Sequence, residues 1–126
     1  MVDTTIRNPD TDAHFARIKP VGRRVRVHHR GRMLADSTDA IRVQESGHDI
    51  YDPVIYIPRS DATTSLDAVA GKSTHCPLKG DASYFGFEGE EIAWTYDRPL
   101  EGSQVLKGYL AFDPEKVTIE EIGANA

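Results

Sequence analysis

Short runs of alternating apolar and polar residues, each closed by a turn residue, most constrain the fold of this chain. Val25 and Val27 alternate with arginines and histidines, which predicts a half-buried strand that ends at Gly31. The run Val54-Ile55-Tyr56-Ile57 is apolar at every position and predicts a central strand covered on both faces before Pro58. Further strands are predicted over 34–37, 40–45, 82–88, 92–96, 109–112 and 117–122. The pattern favours a sandwich, a barrel or two sheets packed across each other.

Other segments interrupt this alternation. Residues 1–22 are predicted as a partly ordered N-terminal tail, 23–122 as a single β domain and 123–126 as a C-terminal tail. Ser60–Ala70 is interpreted as a short helix that Gly71 stops. Ser73–Gly80 contains Pro77 and is interpreted as a structured loop. Ile92, Trp94 and Tyr96 are expected on one face of a strand.

Composition narrows the function classes. No window is long and apolar enough for a membrane-spanning helix or a secretion signal, and one cysteine forms no internal disulfide, so we expect a cytoplasmic protein without membrane contact. The net charge of −5 disfavours nucleic acid in general. Residues 1–32 are an exception, with eight Lys or Arg and three Asp or Glu.

Two segments carry reactive side chains. Arg59, with Asp61 two residues on, follows the central strand and offers a planar fork of donors to a carboxylate or phosphate; alternatively, Arg59 pairs with an acid and only steadies the loop. In the loop that follows, Cys76 is a candidate nucleophile whose thiolate Lys79 would stabilise, or else a small buried apolar residue.

Aromatic residues and histidines give weaker signals. Tyr84, Trp94 and Tyr96 are typical of a core, or of a pocket wall in which Trp N–H and Tyr O–H groups give polar handles. One cysteine and five scattered histidines do not supply the paired ligands of a structural zinc site, so we predict no metal and no cofactor.

Five ordered blocks resemble the domain-of-unknown-function 427 (DUF427) family. The blocks are Leu34-Ala35-Asp36-Ser37, Tyr56-Ile57-Pro58-Arg59-x-Asp61, Thr74-x-Cys76-Pro77-x-Lys79-Gly80-x-Ala82-x-Tyr84, Ala93-Trp94-x-Tyr96 and Gly108-x-x-Ala111-Phe112. The resemblance implies a mainly β protein of two packed antiparallel sheets, β-tent-like or an open barrel, with at most one or two short helices. It also implies that a common purpose holds six residues together: Tyr56, Arg59, Cys76, Lys79, Tyr84 and Trp94.

The same resemblance brings two further expectations. Many β-tent relatives hold zinc between paired cysteines, which this chain lacks. The family has also carried a nucleotidyltransferase-like label, but the sequence has neither a paired-carboxylate metal site nor a phosphate loop.

Two functions stay open. The first is a pocket for a small anionic or polar metabolite, walled by Tyr56, Tyr84 and Trp94, with Arg59, Asp61 and Lys79 as polar contacts; any catalysis there would use Cys76 and Lys79. The second is a non-catalytic module whose basic row, Arg24, Arg26, His28 and Arg30, binds an acidic partner or RNA. That row is also typical of the solvated face of an edge strand. The oligomeric state is not predicted, and a homodimer is compatible with the sequence.

Overall fold

The computed structural model of the chain describes residues 4–123, which form two antiparallel sheets. The strands are β1 (Thr4–Asn8), β2 (Thr11–Pro20), β3 (Arg24–His29), β4 (Arg32–Ser37), β5 (Ile41–Ser46), β6 (Val54–Pro58), β7 (Asp67–Cys76), β8 (Gly80–Phe87), β9 (Glu90–Pro99), β10 (Tyr109–Phe112) and β11 (Thr118–Ile122). Two 3₁₀ segments, Arg59–Asp61 and Glu101–Leu106, complete the fold. The large sheet has the order β1-β2-β5-β6-β10-β9-β8-β7, and the small sheet has the order β11-β3-β4. Within residues 4–123, no helix has the length and apolar character needed to cross a membrane.

The central strand predicted from Val54-Ile55-Tyr56-Ile57 is confirmed as β6, which pairs with β5 on one side and β10 on the other. Its side chains alternate between two hydrophobic cores. Ile55 and Ile57 enter the core between the two sheets, and Tyr56 enters the core on the opposite face of the large sheet. The expectation of two packed antiparallel sheets is also confirmed, and the large sheet does not close, because β1 and β7 lie at its edges.

The first core, which we call the interface core, lies between the sheets. Val25 and Val27 of β3 and Leu34 of β4 meet Phe85 and Phe112 of the large sheet there. The second core, which we call the inner core, lies on the other face of the large sheet. It joins Ile6 of β1 to Ala82 of β8 although these strands lie near opposite ends of the sheet, so the sheet curls around it. The segment Glu101–Leu106 packs against β1 and β9 and adds the buried Leu106 to the inner core.

The expected N-terminal tail is wrong for residues 4–20, which form β1 and β2 at one end of the large sheet. Alternation explains why, since Ile6 and Asn8 are buried in β1 and His14, Ala16 and Ile18 are buried in β2. The polar residues among them obscure this alternation in the sequence. Residues 1–3 and 124–126 of the predicted tails lie outside the described residues.

Two local predictions after β6 are also wrong. The expected helix over Ser60–Ala70 reduces to the 3₁₀ turn Arg59–Asp61. Residues 62–66 form neither helix nor strand, and β7 begins at Asp67. Ala62, Leu66 and Val69 do stand at helical spacing, but so short a helix is marginal by itself, and the chain from Asp67 onwards gains backbone pairing with β8 instead. The expected loop Ser73–Gly80 is instead the end of β7, a short turn and the first residue of β8.

The expected common face of Ile92, Trp94 and Tyr96 is only partly correct. Trp94 and Tyr96 pack with the inner core, but Ile92 packs in the interface core. The register between β8 and β9 shifts at this point, because Phe85 pairs with Ala93 and Gly86 pairs with Glu91. A bulge of this kind turns the following side chains to the other face.

Candidate functional site

A chain of polar side chains lies within the inner core and links four elements. The Lys79 amine donates to Glu45 Oε1 at 2.6 Å, and Glu45 Oε2 accepts from His14 Nε2 at 2.8 Å. The Asn8 amide donates to His14 Nδ1 at 3.1 Å. Because the Asn8 amide nitrogen can only donate, His14 Nδ1 has no hydrogen and its Nε2 carries the one given to Glu45. His14 thus bridges Asn8 to Glu45, and the Lys79–Glu45 pair carries no net charge.

Strand register places these polar groups. Glu45 follows Ile41 and Val43 at alternate positions of β5, so it continues a row of inner-core residues. His14 precedes Ala16 and Ile18 in the corresponding row of β2, and Ala16 pairs with Glu45 across the strands. A carboxylate and an imidazole thus occupy positions where the pattern expects apolar side chains.

Gly80 sets the position of Lys79. Its φ is +114°, and a Cβ there would lie 2.5 Å from the Arg98 carbonyl oxygen and 2.6 Å from the Leu100 nitrogen. The close approach lets the Leu100 N–H donate to the Lys79 carbonyl at 2.9 Å. The buried Ser103 hydroxyl donates to the Leu78 carbonyl at 2.8 Å. The turn between β7 and β8 is therefore tied to the 3₁₀ segment that covers the inner core.

Burial and pairing act in opposite directions on the two charges. Burial of Glu45 acts to raise its pKa, but hydrogen bonds from Lys79 and His14 outweigh burial and keep that pKa below its ordinary value. Burial of Lys79 acts to lower its pKa, but Tyr96 and Glu45 outweigh burial and raise it. Both groups are ionised across the neutral pH range. The Lys79 and Glu45 side chains are only 10% and 13% exposed, so water screens their attraction weakly.

A cavity of about 320 Å³ opens beside this pair, which we call the aromatic pocket. Tyr56, Tyr84, Trp94 and Tyr96 line it together with Lys79. The Trp94 indole lies near the buried Tyr56 hydroxyl and acts to lower the pKa of Tyr56, against the larger effect of burial. The Lys79 amine lies 5.7 Å from the Tyr96 ring centroid. The wall thus has large apolar faces with a few polar groups held in fixed positions.

A second cavity, of about 280 Å³, adjoins the aromatic pocket. Val54 and Lys79 line both cavities, and Glu45 and Tyr51 line only the second one. Ile50, at its rim, is 98% exposed. Lys79 therefore stands between two depressions, with its amine held by Glu45.

The structure brings together four of the predicted site residues: Tyr56, Lys79, Tyr84 and Trp94. Cys76 is half-buried and packs against the inner core, but it lines neither of these two cavities. Its predicted role as a nucleophile remains a prediction.

Arg59 and Asp61 do not join this group. The Arg59 guanidinium lies 4.8 Å from the ring centroid of Phe85, an interface-core residue, and it lines a separate cavity on that face. Asp61 accepts a hydrogen bond of 2.6 Å from the Ser37 hydroxyl of β4. Within residues 4–123 no ion pair joins Arg59 to Asp61, so the alternative in which Arg59 pairs with an acid does not describe it either.

The basic row does not lie on an edge strand, because β3 is the central strand of the small sheet. Arg24 and Arg26 both face Asp36 of β4, with nitrogen–oxygen distances of 3.3 and 3.6 Å. His28 lies 3.7 Å from Glu120 of β11, and Arg30 lies 3.4 Å from Glu90. Acidic neighbours thus offset much of the charge of the row.

Among residues 4–123, no group of three or more His, Cys, Asp or Glu side chains is arranged to hold a metal ion. The site residues that sequence reasoning missed are His14, Glu45 and Tyr51. Glu45 and His14 had a usable signal, since each stands in phase with a row of apolar residues on its strand. Tyr51 lies in an irregular loop and gave no such signal.

Comparison with known proteins gives a family and no assigned activity. The family model described as "Domain of unknown function (DUF427)" matches residues 17–123. The chain belongs to this family, as the five sequence blocks predicted. A search of the curated proteins found none that matches the chain.

Proposed function

We propose that this DUF427 protein binds a small polar metabolite carrying a flat ring, and that the aromatic pocket is its binding site. The observation that carries the proposal is the convergence of four aromatic side chains and one buried, paired lysine on one cavity. The volume of about 320 Å³ falls at the lower end of the range for small-molecule sites. Rings of this kind hold a planar ligand by stacking and give it orientation through their N–H and O–H groups.

The charges around the pocket favour a neutral or cationic ligand over an anionic one. The Lys79 amine is already held by Glu45 at 2.6 Å, so its charge is not free to attract an anion. Glu91 and Asp113 also line the pocket, and Lys72 offsets Glu91 through an ion pair of 2.8 Å. A ligand phosphate or carboxylate would therefore meet more negative charge than positive charge.

The alternative of a basic interaction module has less support. A nucleic-acid surface gains affinity from cations that are free to neutralise phosphates. Arg24 and Arg26 instead share Asp36, and the next two members of the row face Glu120 and Glu90. Binding to RNA would have to break these contacts.

Native mass spectrometry of the purified protein provides the first test. We expect a fraction of the protein to carry a co-purified compound that is released on unfolding. Val54→Phe should abolish the adduct, because Val54 lines the aromatic pocket and a larger side chain would fill it. The matched control is Val69→Phe on edge strand β7, which adds the same volume away from the pocket and should retain the adduct.

Tryptophan fluorescence provides the second test. Trp94 is the single tryptophan of the chain and lines the pocket, so a ligand stacked there should change its emission. Flat neutral or cationic metabolites should do so with saturation, and the response should be lost in Val54→Phe but kept in Val69→Phe. Loss of the response in both variants, or no response and no adduct at all, would contradict the proposal.

A further inference from the structure

The cavity on the opposite face of the large sheet is a second place where the chain presents binding groups. It has a volume of about 260 Å³ and lies where the chain leaves β6 and runs towards β7. Arg59, Thr64 and Ser65 supply its polar lining, and Leu66, Phe85 and Leu110 supply most of its apolar lining. It shares no lining residue with the aromatic pocket.

The Arg59 guanidinium is held in place without being neutralised. Its Cζ lies over the Phe85 ring at 4.8 Å from the centroid, and among residues 4–123 no group accepts a hydrogen bond from the guanidinium. Its backbone N–H donates to the Gly108 carbonyl at 2.8 Å, which fixes the start of the 3₁₀ turn. The nearest acid in sequence, Asp61, is engaged by the Ser37 hydroxyl at 2.6 Å. Within the described chain no acidic side chain forms an ion pair with Arg59.

The hydroxyl-bearing wall is also anchored. The Thr63 N–H donates to the Leu34 carbonyl at 2.9 Å, and the Thr63 hydroxyl donates to the Met33 carbonyl at 2.7 Å. Ala62 forms an isolated bridge with Ala35 of β4. Thr64 and Ser65 follow directly after this anchor, so their positions relative to Arg59 are set before a ligand arrives.

From this arrangement we infer a second binding site, for a small organic oxyanion with an apolar body. The guanidinium fork and the two hydroxyls suit a carboxylate or a phosphate monoester, which accept paired hydrogen bonds from arginine. Phe85, Leu66 and Leu110 suit a short apolar or aromatic body attached to that group. This site thus favours an anionic ligand, which the aromatic pocket disfavours.

The test is titration of ¹⁵N-labelled protein with phenyl phosphate and with benzoate, followed by the amide signals of residues 64–66 and the Arg59 side-chain signal. Both probes should shift these signals with saturation at millimolar concentrations. Benzamide and benzylamine, which lack the anionic group, should not. Inorganic phosphate should bind more weakly than phenyl phosphate, because it has no apolar body to bury.

Substitutions at the cavity wall identify the side chains that bind the anionic group. Arg59→Gln should weaken phenyl phosphate binding by at least about tenfold, and Arg59→Lys should weaken it less, because lysine keeps the charge but not the planar fork. Thr64→Val should weaken it several-fold. The matched control is Arg32→Gln, because Arg32 also lies over a phenylalanine, at 5.5 Å from the Phe87 centroid, but faces Glu88 and does not line this cavity.

The outcomes distinguish this inference from the aromatic-pocket proposal. Val54→Phe should leave phenyl phosphate binding unchanged whether or not the aromatic pocket has a ligand. The inference is overturned if Arg59→Gln binds phenyl phosphate as well as the unaltered protein, or if Arg32→Gln weakens binding equally. It is also overturned if the probes do not bind, or if the largest signal shifts are at the Trp94 indole. Binding of inorganic phosphate with the same affinity as phenyl phosphate would overturn it too.

Discussion

Removing the Lys79 amine should destabilise the protein strongly, because Glu45 would remain as a buried charge with only His14 as a partner. Loss of one member of a buried ion pair costs about 3–5 kcal/mol. The Glu45 side chain is 13% exposed and keeps its 2.8 Å contact with His14, so we expect Lys79→Met to lose about 2–4 kcal/mol of unfolding free energy. For a chain of 126 residues this corresponds to a fall in Tm of about 8–16 °C.

Urea unfolding followed by circular dichroism measures this loss, with an unchanged m value as evidence of a common unfolded state. The matched control is Lys72→Met. Lys72 contacts Glu91 at 2.8 Å, a distance similar to that of the buried pair, but these side chains are 42% and 30% exposed. We expect a much smaller loss there than for Lys79→Met, because solvent screens an exposed pair. A loss of equal size in the two variants would refute the reasoning.

A double replacement and the pH dependence sharpen the test. Glu45→Leu combined with Lys79→Met should recover most of the stability, since neither charge is then left unpaired. The pKa of Glu45 is lowered by folding, so its contribution is present above the ordinary value of 4.5 and is lost as the pH falls through the folded pKa. The pKa of Lys79 is raised, so its contribution is present below 10.5 and is lost as the pH rises through the folded pKa. The gap between Lys79→Met and the unaltered protein should narrow at both extremes, and a gap that widened in acid would contradict the assignment.

Three further predictions concern the same region. Gly80→Ala should cost at least about 2 kcal/mol in urea unfolding, because a Cβ at φ +114° would meet backbone atoms at 2.5–2.7 Å; a neutral result would mean that the turn can move. Burial raises the pKa of Tyr56 despite the opposing effect of Trp94, and burial also raises the pKa of Tyr96. Their contribution to stability should therefore fall as the pH rises above 10. An absorbance titration should show at least two phenols that ionise only when the protein unfolds, and these late-ionising phenols should be absent when both tyrosines are replaced by phenylalanine. Cys76→Ala should leave the fluorescence response of Trp94 to ligands unchanged, because the thiol does not line the aromatic pocket; lost binding would place the thiol in the site.

The sequence predicted the strands whose alternation was uninterrupted, and it failed where polar residues occupy buried positions. β6 was predicted correctly because Val54-Ile55-Tyr56-Ile57 is a short apolar run of β-branched and aromatic residues that Pro58 ends. β2 was missed because a histidine at position 14 reads as exposed, and Glu45, the carboxylate that pairs with it in the core, lies 31 residues further along the chain. The inner position of the Lys79 amine likewise depends on a partner 34 residues away in sequence.

Arg59 was predicted to lie beside the aromatic residues, and strand geometry explains why it does not. Tyr56 and Arg59 are three positions apart, and because the chain stays extended through Pro58, the last residue of β6, this odd separation places their side chains on opposite faces. The structure follows this rule, with Tyr56 in the inner core and Arg59 over Phe85. Trp94 and Tyr96 are two positions apart and share a face, as expected. Ile92 departs from that face because of the bulge between β8 and β9, which the residues of β9 do not predict.

The alternation of β6 between two cores has a consequence for how this protein can vary. A bulkier side chain at position 56 would press into the aromatic pocket, and one at position 55 or 57 would push the small sheet away. Successive positions of β6 are therefore constrained by different neighbours. Libraries intended to change ligand preference should therefore randomise Tyr84 and Trp94, whose strands tolerate partial exposure, and leave β6 untouched. Random substitution in β6, which contributes to both cores, would mostly give variants that do not fold.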